Sequence, residues 1–330
     1  MTKTKIKQSS FALNPVRRTT FFVLGKARHA RINQTRVQEI ARMPTLLSHK
    51  ENVWPATFHL TEKNPQRLLT YLFLLDSLNF CFWSKGERWS ITEGGKTYNG
   101  YFALSLALKT FFEVYPEKLD FRCLQTLSFP KFTDMLRGGE HLLFLKERWR
   151  IVRTVSAVFA HRYGNDPVRF VAAARGSVPR LLAKIVRELP SFNDSAVYCG
   201  RRIYFLKRAQ IVIGDMWLAL EGKGIGNLKN LDYLTAFPDY KLPQILSHWG
   251  IIEYSPSLEK KIMRKTLLPA GSPEEVEIRS ATVWAVEFLK EELARLGNKT
   301  SAMRLDWILW NKSKEINLPN PYHLTKTIFY

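Results

Sequence analysis

The chain has 330 residues, 45% of them hydrophobic, and carries 21 Phe, 12 Tyr and 9 Trp, enough apolar surface to require a large core and to exclude a disordered polypeptide. Lys and Arg number 50 against 29 Asp and Glu, a formal charge of +21, which favours phosphate-bearing or acidic partners. Cys81, Cys123 and Cys199 form neither a CxxC pair nor a Cys/His zinc pattern, which argues against a disulfide framework or structural metal and fits a reducing cytoplasm.

Residues 1–10 carry Lys3, Lys5 and Lys7 without a following apolar run, and are expected to form a basic tail rather than a signal peptide, ahead of one domain over 11–330. Apolar residues returning at three- and four-residue steps predict helices over His29–Ser48, Pro65–Trp83, Tyr101–Val114, His141–Tyr163 and Val178–Leu189. Asp120 is placed to cap a helix beginning at Phe121. RWSIT and KTY flank Glu93-Gly94-Gly95 within Arg88–Tyr98, the pattern of a short hairpin, and a second strand signal falls in Ala196–Tyr204. Helical periods resume over Phe205–Leu220, over Pro273–Leu296, which opens with Ser272-Pro273-Glu274-Glu275, and over Ser301–Trp310. The fold class expected is mostly α. Leu68–Trp83 is the most apolar stretch, but it contains Asp76, Ser77 and Asn79 and is shorter than the roughly 20 residues a membrane helix needs, so no membrane partner is expected. The Gly222–Gly226 run GKGIG follows a helix rather than a strand and reads as a loop.

Three segments carry candidate chemistry. In LLDSLNFCFW, Asp76, Asn79, Phe80 and Trp83 fall at i, i+3, i+4 and i+7, one face of the predicted helix. A carboxylate there either pairs with an Arg as a structural group or accepts the ring N–H and exocyclic amine of a guanine-type base, with Asn79 on the same edge and an aromatic ring on its face. In YCGRRIYFLKRAQI, Arg201, Arg202, Lys207 and Arg208 approach a helix start, which suits a phosphate as well as a solvated basic face. In LTAFPDYKLPQIL, Pro238 and Pro243 stiffen a turn around Asp239. A fixed anion there serves either as a cap or as the group that stabilises an oxocarbenium-like sugar carbon.

Together DSLNFCFW, YCG with FLKRAQI, FPDYKLPQ, RLDWILWN and the closing PYHLTKTIFY resemble the queuosine salvage protein family across nearly the whole chain. The resemblance implies a helical fold related to the helix-hairpin-helix DNA glycosylases. It implies an N-glycosidase that releases queuine from queuosine 5'-phosphate for salvage into transfer RNA, without direct binding of that RNA being required. In this sequence it makes Asp239 the catalytic carboxylate, Lys207 an electrostatic or substrate-binding residue, and Asp76 and Asn79 the readers of the base. Phe80, Trp83, Tyr198, Arg208, Phe237, Tyr240, Tyr322 and His323 complete the expected substrate contacts. Neither metal nor organic cofactor is called for. The segment His59–Pro65 matches the family only loosely. The second reading that charge and aromatic content leave open is a nucleic-acid-binding protein or a base-excision glycosylase acting on a polymer.

Overall fold

The computed structural model describes residues 14–44, 46–47 and 54–330, so the basic tail lies outside the described residues. The chain runs through α1 (Pro15–Leu24), β1 (Ala30–Ile32), α2 (Gln34–Ala41) and α3 (Pro65–Leu78), then β2 (Ser90–Glu93), β3 (Lys96–Asn99) and α4 (Gly100–Val114). It continues through α5 (Phe121–Gln125), α6 (Phe129–Met135), α7 (Leu145–Arg162), α8 (Pro167–Ala172) and α9 (Val178–Glu188) to β4 (Ser195–Tyr198), β5 (Arg201–Tyr204) and α10 (Lys207–Ala219). It ends with α11 (Lys241–His248), β6 (Ile252–Tyr254), α12 (Pro256–Met263), α13 (Pro273–Arg295) and α14 (Ala302–Glu315). The strands pair into three two-stranded antiparallel sheets, β1–β6, β2–β3 and β4–β5. The fold is mostly helical with small β pieces, and no described helix is long and apolar enough to cross a membrane.

Helix starts obey a repeated local rule. Asn14-Pro15, Asn64-Pro65, Asp166-Pro167, Ser255-Pro256 and Ser272-Pro273 each place a capping side chain on an amide of the first turn and a proline at the position that needs no N–H donor. Asp120 caps α5 through the amides of Arg122 and Cys123, as expected.

The described residues fall into two compact units. One takes residues from Met1–Glu51, Asp194–Lys207 and Asp232–Lys326 and is built around α13. Every residue of α13 from Glu275 to Glu287 is buried, and α1, α2, α11 and α14 pack on the helix. Val37, Ile40, Ile245, Leu246, Ala285, Leu289, Leu305 and Leu309 share the resulting core, the larger ones contributing about 1.5–3 kcal/mol each by burial. Charges on so buried a helix must be paired. Glu287 takes Arg17, Glu275 takes Arg279, and Glu277 takes the Tyr198 hydroxyl and the amides of Arg28, His29 and Ala30.

The other unit takes Asn52–Asn193, Arg208–Leu231 and Thr327–Tyr330. There α3 packs against α4, α7 and α8, and α5 lies on α7. Phe73, Phe121, Phe159 and Phe170 form its aromatic centre, with Phe121 and Phe159 stacked at 4.3 Å.

Two expected helices differ from the observed ones. Within His29–Ser48 the chain first forms β1, because Ala30–Ile32 pairs with Ile252–Tyr254, and only then α2, capped by Asn33. Within Pro65–Trp83 the helix stops at Leu78, so Asn79, Phe80 and Trp83 do not share a helix face with Asp76. The Arg148 guanidinium donates to the carbonyls of Leu78, Phe80 and Cys81, and Cys81 adopts φ 45° while its amide bonds the Tyr330 carbonyl. Tertiary hydrogen bonds replace helical ones at this point.

Candidate active site

In the α13-centred unit the loop ahead of α11 is held at every step. The Arg17 guanidinium donates to the carbonyls of Asp232, Tyr233 and Leu234 at 2.8–3.1 Å. The Phe237 amide donates to Asp306 Oδ1 at 2.6 Å, and the Pro238 carbonyl accepts Arg279 Nε at 3.1 Å. Asp239 then caps α11, its Oδ1 accepting the amides of Lys241 at 2.7 Å and Leu242 at 3.0 Å. Both of these bonds fall on Oδ1, and Oδ2 takes no hydrogen bond from a described residue. Asp239 as a residue is 8% exposed, so a reactant reaching its carboxylate meets a group already oriented by backbone dipoles.

Around this loop the unit gathers several of the residues singled out in the sequence. Lys207, 5% exposed, opens α10, and its amide donates to Asp194 Oδ2 at 3.2 Å. Burial holds the Asp306 carboxyl well above the usual carboxylate range, and the Asp239 charge adds to that, while the Phe237 amide and Lys207 oppose it. Tyr240 and Tyr322 place their rings 4.8 Å apart, with the Lys241 ammonium 5.2 Å from the Tyr322 ring centre. His323 is buried, and burial with the nearby Arg279 charge lowers its pKa to about 3, so its ring is neutral near pH 7. Tyr198 points its hydroxyl at Glu277 Oε1, 2.8 Å away. Arg201 and Arg202 are exposed on β5.

The aromatic-centred unit holds the base-reading candidates. Asp76 is fully buried on α3, and Asn79 Nδ2 lies 3.4 Å from its Oδ1. Phe80 is fully buried, its ring 4.0 Å from the Arg148 guanidinium and 4.8 Å from that of Arg208. Arg208 donates to the carbonyls of Asp76, Ser77 and Ser191. Trp83 is 3% exposed.

The same unit adds a buried polar cluster beside Asp76. His59 lies between the hydroxyls of Tyr71 at 3.3 Å and Tyr101 at 3.4 Å. Burial chiefly, with the charges of Asp76 and Asp215, raises both phenol pKa values. Burial and the Lys109 charge lower that of His59 to about 3. Asp215 falls seven residues after Arg208 on α10, a spacing that puts the two on one face and was legible in the sequence. Asp194 and Arg279 carried no local signal for each other, because their pairing joins segments 85 residues apart, whereas Glu275 and Arg279 stand four apart on α13, a local helical spacing. Among the described residues no group of three or more His, Cys, Asp or Glu is arranged to hold a metal ion.

The pattern of the family described as queuosine salvage protein matches residues 58–330. A Sphaerobacter thermophilus protein named queuosine 5'-phosphate N-glycosylase/hydrolase is 37% identical over 313 residues, 94% of this chain and 96% of its own length. Proteins of the same name from Dictyostelium discoideum and Mus musculus are 32% and 30% identical, covering 96% and 95% of this chain and 100% and 98% of their own.

Proposed function

Because this chain belongs to the queuosine salvage protein family, we propose that it is a hydrolase that cleaves the N-glycosidic bond of queuosine 5'-phosphate and releases queuine. The observation that carries the chemistry is the Asp239 carboxylate, fixed by a loop braced at Phe237 and Pro238, beside an Asp306 carboxyl whose environment favours the protonated form. As the bond from the sugar carbon to the base nitrogen breaks, its electron pair leaves with the base and positive charge develops on the sugar. The Asp239 anion stabilises that charge, protonated Asp306 supplies a proton to the departing base, and water adds to the sugar carbon, the proton it loses passing through solvent to restore the Asp306 acid. The reading calls on side chains alone, with neither metal nor organic cofactor.

Lys207 supplies positive charge toward the phosphate, and Tyr240, Tyr322 and His323 take the ribose and phosphate edge, with Phe237 lining the approach. Asp76 and Asn79 are assigned the deazaguanine edge, with Trp83 on its face. Tyr198, Phe80 and Arg208 act behind these groups, since Glu277 engages the tyrosine hydroxyl and Arg208 spends its donors on the carbonyls of the α3 end.

The family resemblance supports kinship of the helical fold with the helix-hairpin-helix DNA glycosylases. The five crossings of the chain between the two units support reading 11–330 as one domain. Three cysteines outside any disulfide fit a cytoplasmic location. The test is to incubate the purified protein with queuosine 5'-phosphate, and separately with queuosine-containing transfer RNA, and to follow free queuine. Release from the nucleotide alone supports this reading; release from the RNA alone favours a polymer-acting glycosylase.

A further inference from the structure

We propose that the buried Asp194–Arg279 ion pair is a positioning pair for the reaction, holding Lys207 and the Asp239 loop in one fixed arrangement; the inference rests on the catalytic reading of those two residues given above. Asp194 and Arg279 meet through two parallel bonds, Nη1 to Oδ1 at 3.0 Å and Nη2 to Oδ2 at 2.6 Å, with both side chains 3% exposed. A buried pair is by itself weak evidence of stabilisation, because desolvation offsets most of the attraction. What distinguishes this one is where its remaining hydrogen bonds go.

On one side Asp194 Oδ2 accepts the Lys207 amide, and the Asp194 carbonyl accepts the amides of Phe205 and Leu206. The turn into α10 therefore closes on Asp194, with Leu206 held at φ 53°. On the other side Arg279 Nε donates to the carbonyl of Pro238, the residue immediately before Asp239. The guanidinium also lies 3.9 Å from the centre of the Phe205 ring, two residues before Lys207. One planar fork thus touches the segment that carries the ammonium and the segment that carries the anion. A lysine at 279 has no fork and cannot hold Asp194 bidentately while reaching Pro238.

The mechanism needs Lys207 and Asp239 in fixed places, and a misplacement of about 1 Å by a residue away from the chemistry can lower a rate about 100-fold. Neither Asp194 nor Arg279 is assigned contact with substrate, so their effect runs through Lys207 and Asp239.

The experiment compares Arg279→Lys, Asp194→Asn and Asp239→Asn, singly and with each positioning variant combined with Asp239→Asn, by single-turnover queuine release. Folded protein is quantified by near-ultraviolet circular dichroism. Glu188→Gln, in the pair with Lys184 on α9 and outside both segments, is the control for lost stability. The expected result is a rate at saturating substrate lowered about 100-fold in each positioning variant, with KM changed less than about threefold. In the Asp239→Asn background the further loss should be below about threefold, because the two sites act as a unit. Glu188→Gln should retain the parent rate per folded molecule.

Parent rates in folded Arg279→Lys and Asp194→Asn overturn the inference, as does a loss fully additive with Asp239→Asn. Failure of both positioning variants to fold also overturns it, because the pair is then structural. An unaffected rate in Asp239→Asn instead rejects the catalytic reading itself, a result distinct from all of these.

Discussion

The amide of Phe237 donates to the carboxyl of Asp306 at 2.6 Å across 69 residues of sequence. This bond anchors the Asp239 loop to α14 and fixes which Asp306 oxygen faces the loop. It also opposes, without outweighing, the burial that keeps Asp306 toward its protonated form. In the proposed mechanism structural anchor and proton donor are therefore one group, and the two roles separate by mutation.

Asp306→Asn keeps an oxygen for the Phe237 amide but removes the titrating proton. The fold should survive, and queuine release should fall about 10²- to 10⁴-fold, the usual contribution of a general acid. The raised pKa sets the sign of the pH dependence. The acid form is the active one, so the parent rate at saturating substrate falls as pH rises through the Asp306 pKa, and this alkaline limb disappears in the variant. Single-turnover pH profiles of the two proteins check it; an unchanged alkaline limb in Asp306→Asn would assign the limb to another group.

Lys207→Met should impair the phosphorylated substrate more than the nucleoside, because only the nucleotide offers an anion to the ammonium. A charge-assisted hydrogen bond is worth about 1.5–3 kcal/mol, so the preference for nucleotide should drop about 10- to 100-fold. Parallel kcat/KM measurements on queuosine and its 5'-phosphate read this ratio, and equal losses on both would place Lys207 nearer the reacting sugar.

Asp76→Asn leaves the shape of the α3 end but turns a two-oxygen acceptor into a group that also presents donors to donors. Each base donor left unpaired costs about 1–3 kcal/mol, so activity per folded molecule should fall at least about tenfold while the melting temperature changes little. A large fall in melting temperature with normal activity in the folded fraction would make Asp76 structural.

His59 and His323 are buried and held to pKa values of about 3. Both are depressed below the unfolded value, so the stability that accompanies their neutral state is present above about pH 6.5 and is lost as pH falls toward 3. Across that window each histidine adds a slope of up to about 1.4 kcal/mol per pH unit, stability rising with pH. Urea unfolding at pH 4–7 should show this slope, and His323→Gln should flatten it by one proton's worth; an unaltered slope would contradict the assignment.

Elements with local punctuation were readable from the sequence. Ser272-Pro273-Glu274-Glu275 announced α13, Glu93-Gly94-Gly95 the β2–β3 turn, and Pro238 and Pro243 a stiff segment around Asp239. Asn14-Pro15 is the same kind of signal and marks α1, which the apolar period alone did not reveal. What could not be read locally depends on distant partners. Ala30–Ile32 becomes a strand only because residues 252–254 lie beside it, and α3 ends at Leu78 because Arg148, 70 residues on, takes its last carbonyl. The candidate site divides in the same way. Asp239 and Lys207 stood in recognisable segments, whereas the Asp194–Arg279 pair joins positions 85 residues apart with no motif around either.

In the proposed mechanism the Asp239 anion stabilises the cationic sugar in the step that breaks the glycosidic bond. Asp239→Asn keeps the oxygen that accepts the Lys241 and Leu242 amides, so the loop and substrate binding should persist while the charge is lost. Single-turnover queuine release at saturating queuosine 5'-phosphate isolates that step, since added substrate overcomes a binding defect but not a missing transition-state interaction. The expected rate is lowered by at least about 10²-fold in a protein that melts and binds like the parent. A near-parental single-turnover rate in folded Asp239→Asn would show that the Asp239 charge plays no part in breaking the bond.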